Sequence, residues 1–187
     1  MLKYNPSLKK ENQHSDLSVK EISPIMKLIV RGKKREFFTT IGKNLNMILP
    51  TEANTSSSND KISAIWLSPD EWMIVSNVIE NGNSNKYELE QILFNNISRR
   101  NLGAIVDVTD QFVMLELEGK NIYELFSSGS PFNFDKFKKK PGATTQTLLN
   151  NIDVIIHNKN ANLINLFVRR SFSEHLCSWI TDSARFL

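Results

Sequence analysis

The chain alternates between two hydrophobic periods, one of strands and one of helices. Ile25-Met-Lys-Leu-Ile-Val30 is a short apolar run closed by Arg31-Gly32 and predicts a strand. Phe37, Phe38, Ile41, Leu45 and Ile48 then recur at helical spacing, so 35–47 should be an amphipathic helix, ended before Pro50. Residues 51–60, with three consecutive serines, read as a polar loop. Strands are expected at 62–67 and 72–76, joined tightly through Ser68-Pro69-Asp70-Glu71, because Pro69 pre-sets φ and Asp70 can bond its own backbone. A second polar loop at 81–85 leads to a helix carrying Leu89, Ile92, Leu93 and Ile97.

The same alternation continues in the second half. Strands are expected at 104–108 and 112–117, then a short helix with Ile122, Leu125 and Phe126 on one face. Residues 127–142 read as irregular and contain the basic run Lys136-Phe-Lys-Lys-Lys140. Three strands should follow, near 145–149, 154–157 and 163–169. The chain closes in a helix with Phe172, Leu176, Trp179 and Ile180 on one stripe, and Ser171 with Glu174 has the spacing of a capping box.

Residues 1–23 are polar without sustained periodicity, as in a mobile tail or an arm that orders on a partner. Strands and helices mix without strict βαβ alternation, which predicts an α+β fold with helices on a mostly antiparallel sheet. Two similar halves, 24–100 and 101–187, are expected within one compact unit, although no sequence repeat marks them.

Composition narrows the function classes. With 187 residues and 40% hydrophobic content the chain can bury a substantial core. A net charge of +3 gives no electrostatic case for nucleic acid. Its single cysteine, Cys177, excludes an internal disulfide and fits a reducing compartment. The first twenty residues lack the apolar stretch of a secretory signal, and no apolar run approaches the roughly 20 residues that span a bilayer. A soluble, cytoplasmic chain is therefore expected.

Catalytic signatures are absent. There is no G-x-S-x-G elbow, no P-loop and no G-x-G-x-x-G. His14, His157 and His175 are too scattered to suggest a metal site, and Cys177 reads as a packed thiol. Asp70 and Glu71 fit a turn better than an acid/base pair. Lys138 and Lys139 lie in a basic run that is either simply solvated or binds a phosphate or an acidic partner surface. Arg169 and Arg170 stand where a strand meets a helix, so their side chains should diverge. Trp66, Trp72 and Trp179 are core anchors by default, and tryptophan is also enriched at binding hot spots. The partner-interface candidates are Trp72, Arg169, Arg170, Lys138 and Lys139.

Three stretches resemble the gamma subunit family of heterotetrameric sarcosine oxidase. Ile65-Trp-Leu-Ser-Pro-Asp-Glu-Trp72 is similar to that family's tryptophan–leucine–glycine–proline–aspartate–glutamate–tryptophan signature, with Ser68 in place of the glycine. Asp107-Val-Thr-Asp-Gln-Phe-Val-Met-Leu-Glu-Leu-Glu-Gly119 resembles its strand–turn–strand segment, and Phe167-Val-Arg-Arg-Ser-Phe-Ser-Glu-His-Leu-Cys-Ser-Trp179 its closing strand and helix. The resemblance implies a fold related to the folate-binding glycine-cleavage T-protein family. It implies a non-catalytic chain with no cofactor of its own, working with alpha, beta and delta subunits. FAD, FMN, NAD, tetrahydrofolate and zinc would sit on those partner chains, which oxidatively demethylate sarcosine to glycine. The alternative is a stand-alone folate-binding protein. It would need a pocket built from an acidic residue and an aromatic platform, with Asp70, Asp107 and the tryptophans as raw material.

Overall fold

The computed structural model describes residues 5–8, 12–14, 17–77 and 87–186. Among them are two antiparallel sheets, each with helices on one face. The polar loop expected at 81–85 lies outside the described residues. The chain divides into two units, 24–109 and 1–23 together with 110–187.

The contiguous unit is built from β3 (Lys27–Arg31), α1 (Arg35–Leu45), β4 (Ser56–Ser58), β5 (Ile62–Ser68), β6 (Glu71–Ser76), α2 (Glu88–Leu93) and β7 (Ala104–Asp107). Its strand order is β4-β5-β6-β3-β7. One sheet face presents Leu28, Val30, Ala64, Trp72 and Ile74. Phe37, Ile41 and Leu45 of α1 pack on it, with Leu93 and Ile97. Helix α1 stops two residues earlier than its periodicity suggested, because Asn46 takes the left-handed conformation at φ 51° and donates its N–H to the Gly42 carbonyl. After α2 the backbone widens into one π turn, Phe94–Ser98, which buries Ile97.

Gly103 marks the tightest point of this unit. A Cβ there would overlap the Arg31 carbonyl oxygen and come within 2.9 Å of the Phe37 ring. Because the first obstacle is backbone in the β3–β7 ladder, Gly103→Ala should lower stability by about 1–3 kcal/mol. Urea unfolding measures this, and a loss under about 0.5 kcal/mol would show that β7 can slide to accept the methyl.

The other unit holds β8 (Phe112–Gly119), α3 (Ile122–Gly129), β9 (Thr144–Leu149), β10 (Ile152–Asn160), β11 (Leu163–Arg169) and α4 (Arg170–Ser183). To these it adds two strands from the start of the chain, β1 (Asn12–His14) and β2 (Leu17–Glu21). Its order is β1-β2-β8-β11-β10-β9. Val113, Leu115, Leu117, Val154, Ile156, Leu166 and Val168 face Leu125 and Phe126 of α3 and Leu176 and Ile180 of α4.

The two halves share one topology. Ordering each sheet from its far edge matches β4-β5-β6-β3-β7 with β9-β10-β11-β8-β2, and α1 and α2 hold the positions of α3 and α4. Both are split β-α-β arrangements of the ferredoxin-like kind. In the first half the last strand follows α2 directly. In the second half its place is taken by β2, from the N-terminus.

This corrects three readings. Residues 17–21 were expected within a polar tail, yet Leu17 and Val19 are buried and β2 pairs with β8 along Leu17↔Gly119 to Glu21↔Leu115. The boundary between halves falls at 109/110 rather than 100/101, because β7 completes the first sheet. Ser56–Ser58, expected in a loop, pair with Ala64 and its neighbours as an edge strand, and Ser58 Oγ donates to Ser63 Oγ at 2.9 Å. The capping box also fails. Arg169, still extended at ψ 136°, is the cap residue of α4, and Ser171 makes no capping bond.

Candidate functional site

Trp72, offered above as an interface anchor, is 1% exposed and belongs to the core. Its indole Nε1–H donates to the Pro50 carbonyl at 2.8 Å, and its ring stacks on Phe37 with centroids 6.1 Å apart. The strand pairing that sets Trp66 opposite Trp72 turns Trp72 toward α1. The turn between β5 and β6 is tight, as expected. Asp70 accepts from Ser68 Oγ at 3.0 Å and from Arg31 Nε at 3.3 Å, with Lys33 at 3.5 Å. Partial desolvation pushes its pKa up, but these hydrogen bonds and cations outweigh it and hold the carboxyl below its ordinary value. Asp107 likewise accepts from the Thr109 backbone N–H at 2.9 Å. Both carboxylates and Trp72 are thus committed to local structure and form no pterin platform.

Arg169 and Arg170 diverge as strand logic required. Arg170 Nε donates to the Asp110 carbonyl at 2.9 Å and Nη1 to the Asn5 carbonyl at 3.4 Å, so it ties neighbouring backbone segments together. Arg169 is exposed and lies over the Phe112 ring at 5.9 Å. With Phe112, Pro131, Gln146, Leu148, Asp153 and Ile155 it lines an open groove of about 420 Å³. β9, an edge strand of the six-stranded sheet, forms one wall. Arg169 was legible in the sequence. Its companions Phe112, Leu148 and Asp153 were not, because only strand register brings them together.

Lys138 and Lys139 belong to a second groove of about 470 Å³, shared with Lys120, Tyr123, Pro141 and Ala161. Beyond the end of α3 at Gly129 the segment above it is irregular, as expected, apart from one short turn of 3-10 helix at Phe137–Lys139, but it is packed. Phe132, Phe134 and Phe137 turn inward and meet Tyr123 and one another at centroid distances of 5.0–6.4 Å. The lysines between them turn outward. The phenylalanine spacing was the available signal, and the dense basic run obscured it.

The remaining titratable candidates are structural. Cys177 is buried, and desolvation with nearby Glu21 and Glu174 pushes its thiol up to about 12, so it is no nucleophile at neutral pH. Among the described residues no three His, Cys, Asp or Glu side chains gather as a metal site would require. No described helix is long and apolar enough to cross a membrane.

A family model described as sarcosine oxidase, gamma subunit family matches residues 32–185. The chain belongs to this family. Among solved structures it is similar to a chain of the heterotetrameric sarcosine oxidase from Corynebacterium sp. U-96 in complex with pyrrole 2-carboxylate. The TM-score is 0.80 and the identity 18%, over 91% of this chain and 84% of that one. It is also similar to the glycine cleavage system aminomethyltransferase T from Bartonella henselae, with a TM-score of 0.62 and 14% identity, over 90% of this chain. The match covers 46% of that longer chain, so the present one spans about half its length. No curated protein matches the sequence. The gamma-family resemblance read from three short stretches thus holds over most of the chain, and so does the relation of its fold to the T-protein. The stand-alone folate-binding alternative is not favoured.

Proposed function

We propose that this chain is a non-catalytic gamma subunit that seats against the larger chains of a sarcosine oxidase and holds their shared site in working geometry. The flavin, nicotinamide, folate and zinc chemistry would reside on alpha, beta and delta partners. The assembled complex would demethylate sarcosine oxidatively to glycine, in the cytoplasm. The family match over residues 32–185 carries this reading. It is supported by the use of the obvious acidic and aromatic candidates in turns and core. Permanent interfaces of this kind bury more than about 2,000 Å².

A tagged chain recovered gently from its native cells should bring down two larger chains in a yellow, flavin-bearing eluate. A lone colourless chain would overturn the proposal, and direct folate titration would then test the T-protein-like alternative.

A further inference from the structure

A dense run of positive charge lies above the second groove. Lys136, Lys138, Lys139 and Lys140 fall within five residues, and the fold adds Lys120 from just beyond the end of β8. Asp135 sits on Lys138 at 3.2 Å and offsets one of these charges. The lysine-bearing turn is held firmly. Phe137 is buried beneath it, and the fully buried Asn158 donates its side-chain amide to the Phe137 carbonyl at 2.8 Å and the Lys140 carbonyl at 3.1 Å. Backbone bonds between Gly142 and Asn158, and between Asn158 and Ala143, close the far end. The ammonium groups therefore project from a fixed base.

Tyr123, 9% exposed, also lines this groove, and its hydroxyl is buried with no hydrogen-bond partner among the described residues. Buried polar atoms in native proteins are nearly always satisfied, so a lone one beside a groove calls for an oxygen from outside the chain, either a water or a ligand group admitted by a small shift of the lining side chains. Burial pushes the phenol up to about 12, which keeps it protonated and able to donate.

We propose that this groove receives an acidic stretch of a partner subunit, with Asp or Glu carboxylates lying among Lys120, Lys138 and Lys139 and one reaching the Tyr123 hydroxyl. The inference rests on the subunit role proposed above and adds the chemistry of one contact. The occupant follows from the cations. Lysines are compact charges on flexible stems and lack the rigid guanidinium fork that fixes a single phosphate bidentately. An open groove rimmed by them suits a run of carboxylates and acts chiefly by speeding encounter.

The test measures association and dissociation rates of the co-purifying larger subunits with four full-length chains: wild type, Lys138→Glu/Lys139→Glu, Tyr123→Phe, and Lys43→Glu/Lys61→Glu. The last changes net charge equally at exposed positions of the other unit. The groove variant should associate roughly ten-fold more slowly at low salt with little change in dissociation. That difference should vanish near 1 M salt, where the screening length is about 3 Å. Tyr123→Phe should dissociate a few-fold faster without a lower melting temperature. Equal slowing by the groove variant and the control would overturn the proposal, as would unchanged rates in the groove variant. If the wild-type chain captures no larger subunits, the subunit role itself falls, and the groove's occupant with it.

Discussion

Trp72→Ala should lower the unfolding free energy by about 3–5 kcal/mol, a large share of the 5–15 kcal/mol that holds a typical domain together. Three losses combine. The indole is almost wholly buried, so its removal leaves a void between the five-stranded sheet and α1. Its stack on Phe37 and its edge contact with Phe38, centroids 5.5 Å apart, disappear together. The Pro50 carbonyl also loses the donor it meets at 2.8 Å. Trp72→Phe separates these effects. It keeps most of the ring but not the hydrogen bond, and should cost less than the alanine variant, at about 1–3 kcal/mol. Guanidinium unfolding with far-ultraviolet circular dichroism measures both. A cost below about 1 kcal/mol for the alanine variant would mean that the core around α1 refills and that Trp72 does not anchor it.

Acidification should destabilise the protein through His157. This imidazole is 2% exposed on β10, across from Thr144 and Asn165. Burial, with a smaller contribution from the Lys159 charge, depresses its pKa to about 3. Lys159 is itself lowered by burial, with Glu116 acting against that. In the unfolded chain a histidine titrates near 6.5. Between about pH 6.5 and 3 the unfolded state therefore holds one proton more than the native state, so stability falls as pH falls. The slope is about 1.4 kcal/mol per pH unit, and the total is on the order of 5 kcal/mol. Above pH 6.5 the contribution is fully present and flat. Carboxylates add their own slope below pH 5, so the comparison is with His157→Gln, whose curve should lack this component whatever its absolute stability. Parallel curves for the two proteins between pH 5 and 6.5, where carboxylates contribute least, would refute the assignment.

What the sequence disclosed depended on how strongly each segment is apolar. The runs 25–30, 62–67 and 163–169 are dense in apolar residues and were placed to within a residue or two. α1 was bounded well at its start because its apolar residues keep helical spacing. β2 escaped because only Leu17 and Val19 alternate, a pattern two positions long. β4 escaped because three serines carry no apolar signal, and it is fixed by pairing with β5. At the candidate site, Arg169, Lys138 and Lys139 were visible as charges at element ends. Trp72 was misassigned because an indole looks the same in sequence whether it anchors a core or a partner. Lys120 and Tyr123, 18 and 15 residues before Lys138, join the groove only through tertiary folding.

The strand borrowed from the N-terminus bears on how the protein is made. β2 pairs with positions of β8 that lie 94 to 102 residues further along the chain, so during synthesis it emerges long before that neighbour exists. The unit spanning 24–109 has all its strands once residue 109 is available and can close on its own. Until β8 follows, β2 can pair only with β1, and its other edge stays open, a state in which a nascent chain is exposed to wrong pairing. Closing so long a loop costs little more than closing a short one, so the delay is a matter of timing rather than of final stability. The first described segments to be translated are thus among the last to find their place.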